Sequence, residues 1–225
     1  MTWVSRHGKP RICRVPCCYD LRNPLRCCAA CLIALLIYGC MDSLPRNIDD
    51  ACSIFLENKR WFKQAMHAQQ RWGVPPSVLL AIIHQESKFL ESAKPPRKRI
   101  LWIFPGPRVS SAHGYAQALD GTWQRYIQKT GNRGADRDDF ADAVDFIGWY
   151  IDEAWRRNGI AKSDAFNQYL AYHEGHGGFA RGSYQTKPQL TGVARQVQKQ
   201  ALRYQAQLDR CGAELVDRRR WWWPF

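Results

Sequence analysis

No apolar stretch in these 225 residues reaches the roughly 18–20 residues that a membrane-crossing helix requires, so a multi-span protein is excluded. Acidic side chains are scarce beside basic ones: 20 Asp+Glu stand against 33 Lys+Arg, a formal charge of +13. Strand signals are few and short, and no segment repeats itself. Nine cysteines are too few for a disulfide-dense miniprotein, and only three lie beyond residue 39: Cys40, Cys52 and Cys211. What is present is a globular mixture. Hydrophobic residues make up 45% and charged residues 24%, which excludes a disordered polyelectrolyte. The length suits one domain with or without appendages.

The amino end has the layout of an export signal. Arg6, Lys9, Arg11, Arg14, Arg22 and Arg26 are opposed by Asp20 alone, an apolar run extends from Cys27 to Tyr38, and Gly39 precedes Cys40. That is a positive region, a short hydrophobic region and a small residue before a cleavage point. Cys13, Cys17, Cys18, Cys27, Cys28 and Cys31 all fall inside this segment, so they are read as leader residues and not as a metal cluster. Ile37-Tyr38-Gly39-Cys40 resembles a bacterial lipobox. The resemblance implies that Cys40 is lipidated and becomes the first residue of the mature protein, held by several acyl chains. Met41 in place of an Asp resembles outer-membrane sorting in enteric bacteria. The expected location is the periplasm, lipid-anchored, at the outer membrane of a Gram-negative cell. An ordinary signal peptide with an accidental Cys is the alternative. The expected organisation is a leader at 1–39, a linker at 40–51, a domain at 52–211 and a basic, Trp-rich tail at 212–225.

The 186 residues from Cys40 onward keep 27 basic and 19 acidic side chains, a formal +8. With Cys40 lipidated, two thiols remain in an oxidising compartment. A Cys52–Cys211 disulfide is therefore predicted, worth about 4–5 kcal/mol in the chain-entropy picture. Two unpaired thiols are the alternative.

Helical periodicity dominates the rest. Trp61, Phe62, Ala65 and Met66 predict a helix over 58–72, stopped by Gly73. Pro75-Pro76-Ser77 opens a second, with Val78, Leu79, Ile82 and Ile83 as its apolar positions. Residues 93–113 break the pattern with prolines and with Lys94, Arg97, Lys98 and Arg99, and read as a basic loop or small hairpin. Further helices are predicted over 118–129 with Gly131 as stop, over about 139–157 before Gly159, over 164–173 before Gly175, and over 189–210. The fold class is mainly α, with a small loop or β-hairpin insertion.

Glu86 follows Ile83 by three residues, Ile82 by four and Leu79 by seven, offsets that place it on the apolar stripe of its helix. An acid there is costly unless neutral or paired. Desolvation raises a carboxyl pKa, and a carboxyl kept protonated near neutrality is what a general acid must be. An exposed position in a frayed last turn accounts for the spacing equally well. Three segments add to this. His84-Gln85-Glu86-Ser87-Lys88-Phe89 resembles the Glu-Ser motif of the SLT-type lytic transglycosylases. Gly114-Tyr115-Ala116-Gln117 resembles their Gly-Leu-Met-Gln motif, and Ala171-Tyr172-His173-Glu174-Gly175 their Ala-Tyr-Asn-Ala-Gly motif. The order and rough spacing agree, over about residues 52–210.

That resemblance implies a lysozyme-like helical fold and cleavage of peptidoglycan glycan strands, with no cofactor and no metal. It assigns Glu86 as the single catalytic acid and Gln117 to substrate sugar. Tyr172 becomes the tyrosine that hydrogen-bonds and orients the glutamate. Ser110 or Ser111 would lie near the sugar N-acetyl group. Tyr115 and His173 stand where the family has Leu and Asn, so they would alter the substrate-binding wall. In such an enzyme the acid protonates the oxygen between MurNAc and GlcNAc, the N-acetyl carbonyl stabilises the anomeric carbon, and the O6 hydroxyl closes a 1,6-anhydro ring. Ordinary glycosidases use two carboxylates instead. Glu91, Asp120 and Glu174 are the candidates for a second one, and Glu174 is expected to be a solvent-exposed helix-end residue. A metal site from His173, Glu174 and His176 with His84 or His113 does not match His-Glu-x-x-His spacing. The net charge fits an anionic wall or lipid surface, and nucleic acid is not expected as a partner. A glycan-gripping scaffold without activity and a hydrolytic lysozyme are the alternatives. The Trp221–Trp223 end is open between a membrane-interface segment and a disordered tail.

Overall fold

The computed structural model describes residues 44–100 and 104–216. The leader, Cys40 and the Trp-rich end from residue 217 lie outside them. Among the described residues seven α-helices and a hairpin follow in chain order: α1 Ala51–Glu57, α2 Lys59–Trp72, α3 Pro76–Glu86, β1 Arg97–Ile100, β2 Phe104–Arg108, α4 Asp120–Thr130, α5 Phe140–Asn158, α6 Ala165–Ala180 and α7 Pro188–Val216. A 3-10 turn, Ser183–Thr186, joins the last two. The mainly helical fold class and the hairpin insertion are as expected. Left-handed Gly73, Gly131 and Gly159 end α2, α4 and α5 at the predicted stops. α1 had no sequence prediction. No described helix is long and apolar enough to cross a membrane.

Helix α3 runs through the middle. Pro76 to Ile83 are all buried, so over this stretch the helix is enclosed on every side. α7 lies along it, with Ser77 donating to Gln205 Oε1 at 2.9 Å and Leu190, Ala194, Val197, Ala201 and Tyr204 buried on its inner stripe. α5 packs against α2 from another side. Asp145, 8% exposed, accepts bonds from Arg71 at 3.0 Å, Trp72 Nε1 at 2.7 Å and the Tyr126 hydroxyl at 2.7 Å. One buried, fully paired charge thus joins α2, α4 and α5.

An aromatic nest fixes the two loops that follow α3. Trp61 of α2 stacks on Phe140 of α5 with centroids 4.2 Å apart, and Phe89 stacks on Trp61 at 5.9 Å. Tyr115 meets both Trp61 and Phe140 edge-on at 5.7 Å. Phe89 and Tyr115 are 2% and 1% exposed, so the 87–93 loop and the 114–117 turn are each pinned to the core by one ring.

Two expected boundaries are corrected. Residues 45–51 are not a free linker. Pro45 is buried, Ile48 packs on the core, Tyr204 donates to Ile48 O, and Gln207 bonds Asp49 O at 3.1 Å and Ala51 N at 2.9 Å. At the other end α7 continues past Cys211 to Val216, so residues 212–216 extend the helix and are not tail. Cys52 and Cys211 form a disulfide-compatible pair, with Cα atoms 6.1 Å apart.

Candidate active site

Glu86 is the last residue of α3. Its helix enters from the core, so the carboxyl sits at the end of a buried apolar rod, partly open to solvent. Burial is the largest influence on it and lifts its pKa from 4.5 to about 7. A hydrogen bond with Tyr169 and the charge of Lys88 pull the other way. The helix dipole adds to burial, because its negative end faces the carboxyl. A carboxyl raised in this way towards neutrality is one that can donate a proton and then accept one. No second carboxylate is among the groups that act on Glu86.

The partner of Glu86 is Tyr169 of α6, 4% exposed. Its hydroxyl hydrogen-bonds Glu86 and also meets Gln85. Burial first, then the Glu86 charge, raises its own pKa. Tyr172, one turn on, has a different hydrogen-bond partner from the expected one. Its hydroxyl donates to Ala116 O at 2.6 Å, not to Glu86. Burial, then the Glu86 charge, keeps its pKa well above the ordinary value. Tyr172 thus stands within the field of the glutamate while tying α6 to the 114–117 turn. The sequence reading missed Tyr169. Its signal was a second tyrosine three residues before Tyr172, on the same helix face.

The 114–117 turn is built under strict local constraint. Gly114 has φ +77, and a Cβ there would stand 2.0 Å from Arg137 O, so only glycine fits. Gly114 N donates to Ala93 O at 3.0 Å and Tyr115 N to Arg137 O at 3.2 Å. Gln117 has φ +48, uncommon for a residue with a side chain. Its Nε2 donates to Ala93 O at 2.8 Å and to Gly114 O at 2.9 Å. Both amide hydrogens are thereby used, and Oε1 remains as its acceptor. Lys88 and Phe89 also have positive φ, 53 and 62. Three such residues in the two loops beside one carboxyl mark conformations held by their surroundings.

The remaining predicted residues separate from this cluster. Tyr115 is corrected from a substrate-binding position to a core residue, because its ring is enclosed between Trp61 and Phe140. Ser111 is exposed and accepts from Asp120 N at 3.2 Å, bracing the start of α4. Ser110 accepts from Ala112 N at 3.4 Å. His173 is exposed, with Nδ1 3.1 Å from Glu174. Glu174 is not solvent-exposed as expected: its side chain is 5% exposed. Lys187 bonds both of its oxygens at 2.8 Å and Ser183 donates to it as well. Those bonds hold its pKa down at about 2, so it is a committed anion. Behind it Gly175 leaves helical geometry, φ 74 and ψ 156. The expected stop at Gly175 is thus a kink, after which α6 resumes.

Asp120 is paired with Arg137 at 2.7 Å. His113 meets Asp138 at 2.8 Å. His176 is buried and stacked on Tyr150 at 4.2 Å, and burial lowers its pKa to about 4. Among the described residues no three His, Cys, Asp or Glu side chains converge as metal ligands.

Compared with known families, the chain matches the model described as Transglycosylase SLT domain over residues 28–211. This spans the three motif segments and most of the chain. No curated protein matches it.

Proposed function

The chain belongs to the transglycosylase SLT domain family, and from that premise we propose that it is a peptidoglycan lytic transglycosylase in which Glu86 is the only catalytic carboxyl group. The family supports a lytic transglycosylase-type activity on peptidoglycan in general. The finer reading is carried by one observation: a carboxyl with its pKa raised to about 7 by burial, with no second carboxylate acting on it. A lone acid poised near neutrality suits a reaction in which the same group gives and then takes a proton.

In the proposed reaction protonated Glu86 donates to the oxygen leaving between MurNAc and GlcNAc. The MurNAc N-acetyl carbonyl stabilises the electron-poor anomeric carbon, taking the part a second carboxylate plays in ordinary glycosidases. The Glu86 carboxylate then removes the proton from the MurNAc O6 hydroxyl, O6 bonds to the anomeric carbon, and a 1,6-anhydro ring closes. No water is consumed. Tyr169 holds the carboxyl in place, since small displacements are costly in rate. Gln117, its amide hydrogens fixed to backbone, offers Oε1 to a sugar hydroxyl. Tyr172 fixes that turn against α6. Ser111 and His173, both exposed, are available to substrate at the periphery.

The proposal also includes a lipid anchor at Cys40, after removal of residues 1–39, in the periplasm at the outer membrane of a Gram-negative cell. The Cys52–Cys211 pair suits that oxidising compartment.

Mass spectrometry of digested sacculi tests the chemistry. Anhydro-MurNAc ends are expected; reducing ends would mean a hydrolase, and undigested wall a binding protein. Glu86→Gln is expected to keep the fold and lose turnover by at least about a hundredfold.

A further inference from the structure

Two residues past Glu86 the backbone takes a conformation that is costly for any residue with a side chain. Lys88 has φ 53, and such strain persists only where the surroundings impose it. The turn around Lys88 does so from both sides. Ser87 N and Oγ both donate to Ile83 O, at 3.0 and 3.2 Å. Leu90 N donates to Ser87 O at 3.0 Å, and Phe89 is buried against Trp61. From this turn the Lys88 side chain reaches back along α3, and Nζ stands 3.3 Å from His84 Nδ1. An ammonium carries only donors, so Nδ1 is the acceptor and the imidazole is neutral, with its proton on Nε2. Nε2 lies 3.4 Å from Asp49 Oδ1, the acceptor this tautomer calls for. Phe89 and Tyr204 flank the ring edge-on, with centroids 6.4 and 6.2 Å away. Asp49, His84 and Lys88 thus form a chain from the segment before α1, across α3, to the loop beside the acid.

The end of this chain is a positive charge received by an uncharged ring, so the contact does not cancel it. Asp49 and Glu86 are the carboxylates whose charges act on Lys88. Glu86 needs such a neighbour. Once it has given its proton to the leaving oxygen it is an anion at the end of a buried helix, facing that helix's negative pole. Tyr169 and Tyr172, the titratable groups that face it from α6, are both neutral, and Lys88 is the cation that acts on it. We propose that Lys88 is a positioning residue for the acid–base cycle: aimed by His84 and Asp49, it is a standing positive charge that favours the carboxylate Glu86 becomes after proton donation. The proposal rests on Glu86 as the acid. His84 is kept in its neutral, accepting form because burial, then the Lys88 charge, lowers its pKa. Asp49 opposes this, and Arg203 of α7 adds to it.

The test is the titration of Glu86 itself, followed by carbon NMR of its carboxyl group in the intact protein, with a pH–rate profile beside it. Lys88 is exposed, so Lys88→Gln is expected to fold as the parent does. Removing the cation is expected to raise the Glu86 midpoint, and with it the alkaline limb of the rate profile, by about half a unit, as suits a charge partly screened by solvent. Lys88→Arg keeps the charge and is expected to restore the parent midpoint. His84→Phe keeps a ring and loses the acceptor. It is expected to produce part of the same rise in the parent and none in the Lys88→Gln background. In roughly 1 M salt the parent midpoint is expected to approach that of Lys88→Gln.

An unmoved Glu86 midpoint in Lys88→Gln overturns the proposal. So does a Lys88→Arg protein that shifts as far as Lys88→Gln, or a His84→Phe shift that persists in full without Lys88. Should His84→Phe unfold, the Lys88 variants and the salt series decide the matter. The NMR midpoint does not depend on turnover, so the two readings fail separately. A midpoint that follows Lys88 in a protein yielding no anhydro-MurNAc removes the lyase and keeps the charge device; anhydro-MurNAc from a protein whose midpoint ignores Lys88 does the reverse.

Discussion

At residue scale, the placement of Glu86 has consequences for stability as well as rate. Burial raises its pKa from 4.5 to about 7, so the folded state holds a proton that the unfolded chain releases. Its contribution to stability is therefore fully present below about pH 4.5 and is lost as pH rises through about 7. Replacing it with the neutral isostere removes that loss. Glu86→Gln is expected to match the parent in unfolding free energy at pH 4, and to exceed it by roughly 1–3 kcal/mol at pH 8. Chemical denaturation at the two pH values measures this, and an unchanged difference would show a carboxyl that titrates as in open solvent. The activity of the parent is expected to fall on the alkaline side through about pH 7. Tyr169 sharpens the point. Its hydrogen bond lowers the Glu86 pKa, so Tyr169→Phe is expected to move that alkaline limb upward by up to about one unit and to cut turnover about tenfold. Tyr172→Phe removes the bond to Ala116 O and should leave the limb where it was. A pH–rate profile of both variants separates a positioning residue for the acid from a brace for the turn.

At the scale of elements, the carrier of the site was legible and its tuning was not. Pro75-Pro76 and the run from Val78 to Ile83 announce a buried helix that delivers Glu86 at its end, and the observed α3 does so. The stops at Gly73, Gly131 and Gly159 were readable because a left-handed residue after a helix favours glycine. Tyr115 was misplaced because a motif position says which residue is substituted but not which way its ring turns. The ring turned inward, towards Trp61 and Phe140, contacts made across more than twenty residues of sequence on either side. Tyr169 was overlooked for a related reason: two tyrosines one turn apart are equivalent in pattern, and only the packing of α6 decides which meets the acid. Glu174 looked like a surface residue because Ser183 and Lys187, which cover it, return from beyond the Gly175 kink. The turn itself was half readable. A glycine at 114 was visible, while the reason for it, the Arg137 carbonyl 2.0 Å from any Cβ, comes from the approach to α5. Gly114→Ala is accordingly expected to cost about 2–4 kcal/mol, because both the positive φ and the backbone contact oppose it. Since Gln117 hangs from that turn, the variant should also lose activity before it loses its helices. Circular dichroism alongside wall digestion distinguishes those two losses.

At the scale of the whole molecule, the segment before α1 and the last turns of α7 close the chain on itself. Residues 45–51 lie on α7 through Tyr204 and Gln207, and the Cys52–Cys211 pair spans 159 positions at the same seam. The polar bonds there are individually modest, each about 1 kcal/mol net. The covalent link acts differently, by removing conformations from the unfolded chain. Closing so long a loop is worth about 4–5 kcal/mol in the chain-entropy picture. α7 also packs on the helix that ends in Glu86. Freeing its far end therefore loosens α7 and the segment before α1 before it disturbs the aromatic nest around Trp61. Intact mass should rise by two hydrogens on reduction. The Cys52→Ser, Cys211→Ser protein is expected to lose about 2–5 kcal/mol of stability, read as a lower denaturation midpoint. Its earliest loss of amide-exchange protection should fall in residues 44–57 and 205–216. Protection lost evenly along the chain would mean that the two ends contribute no separate unit of stability.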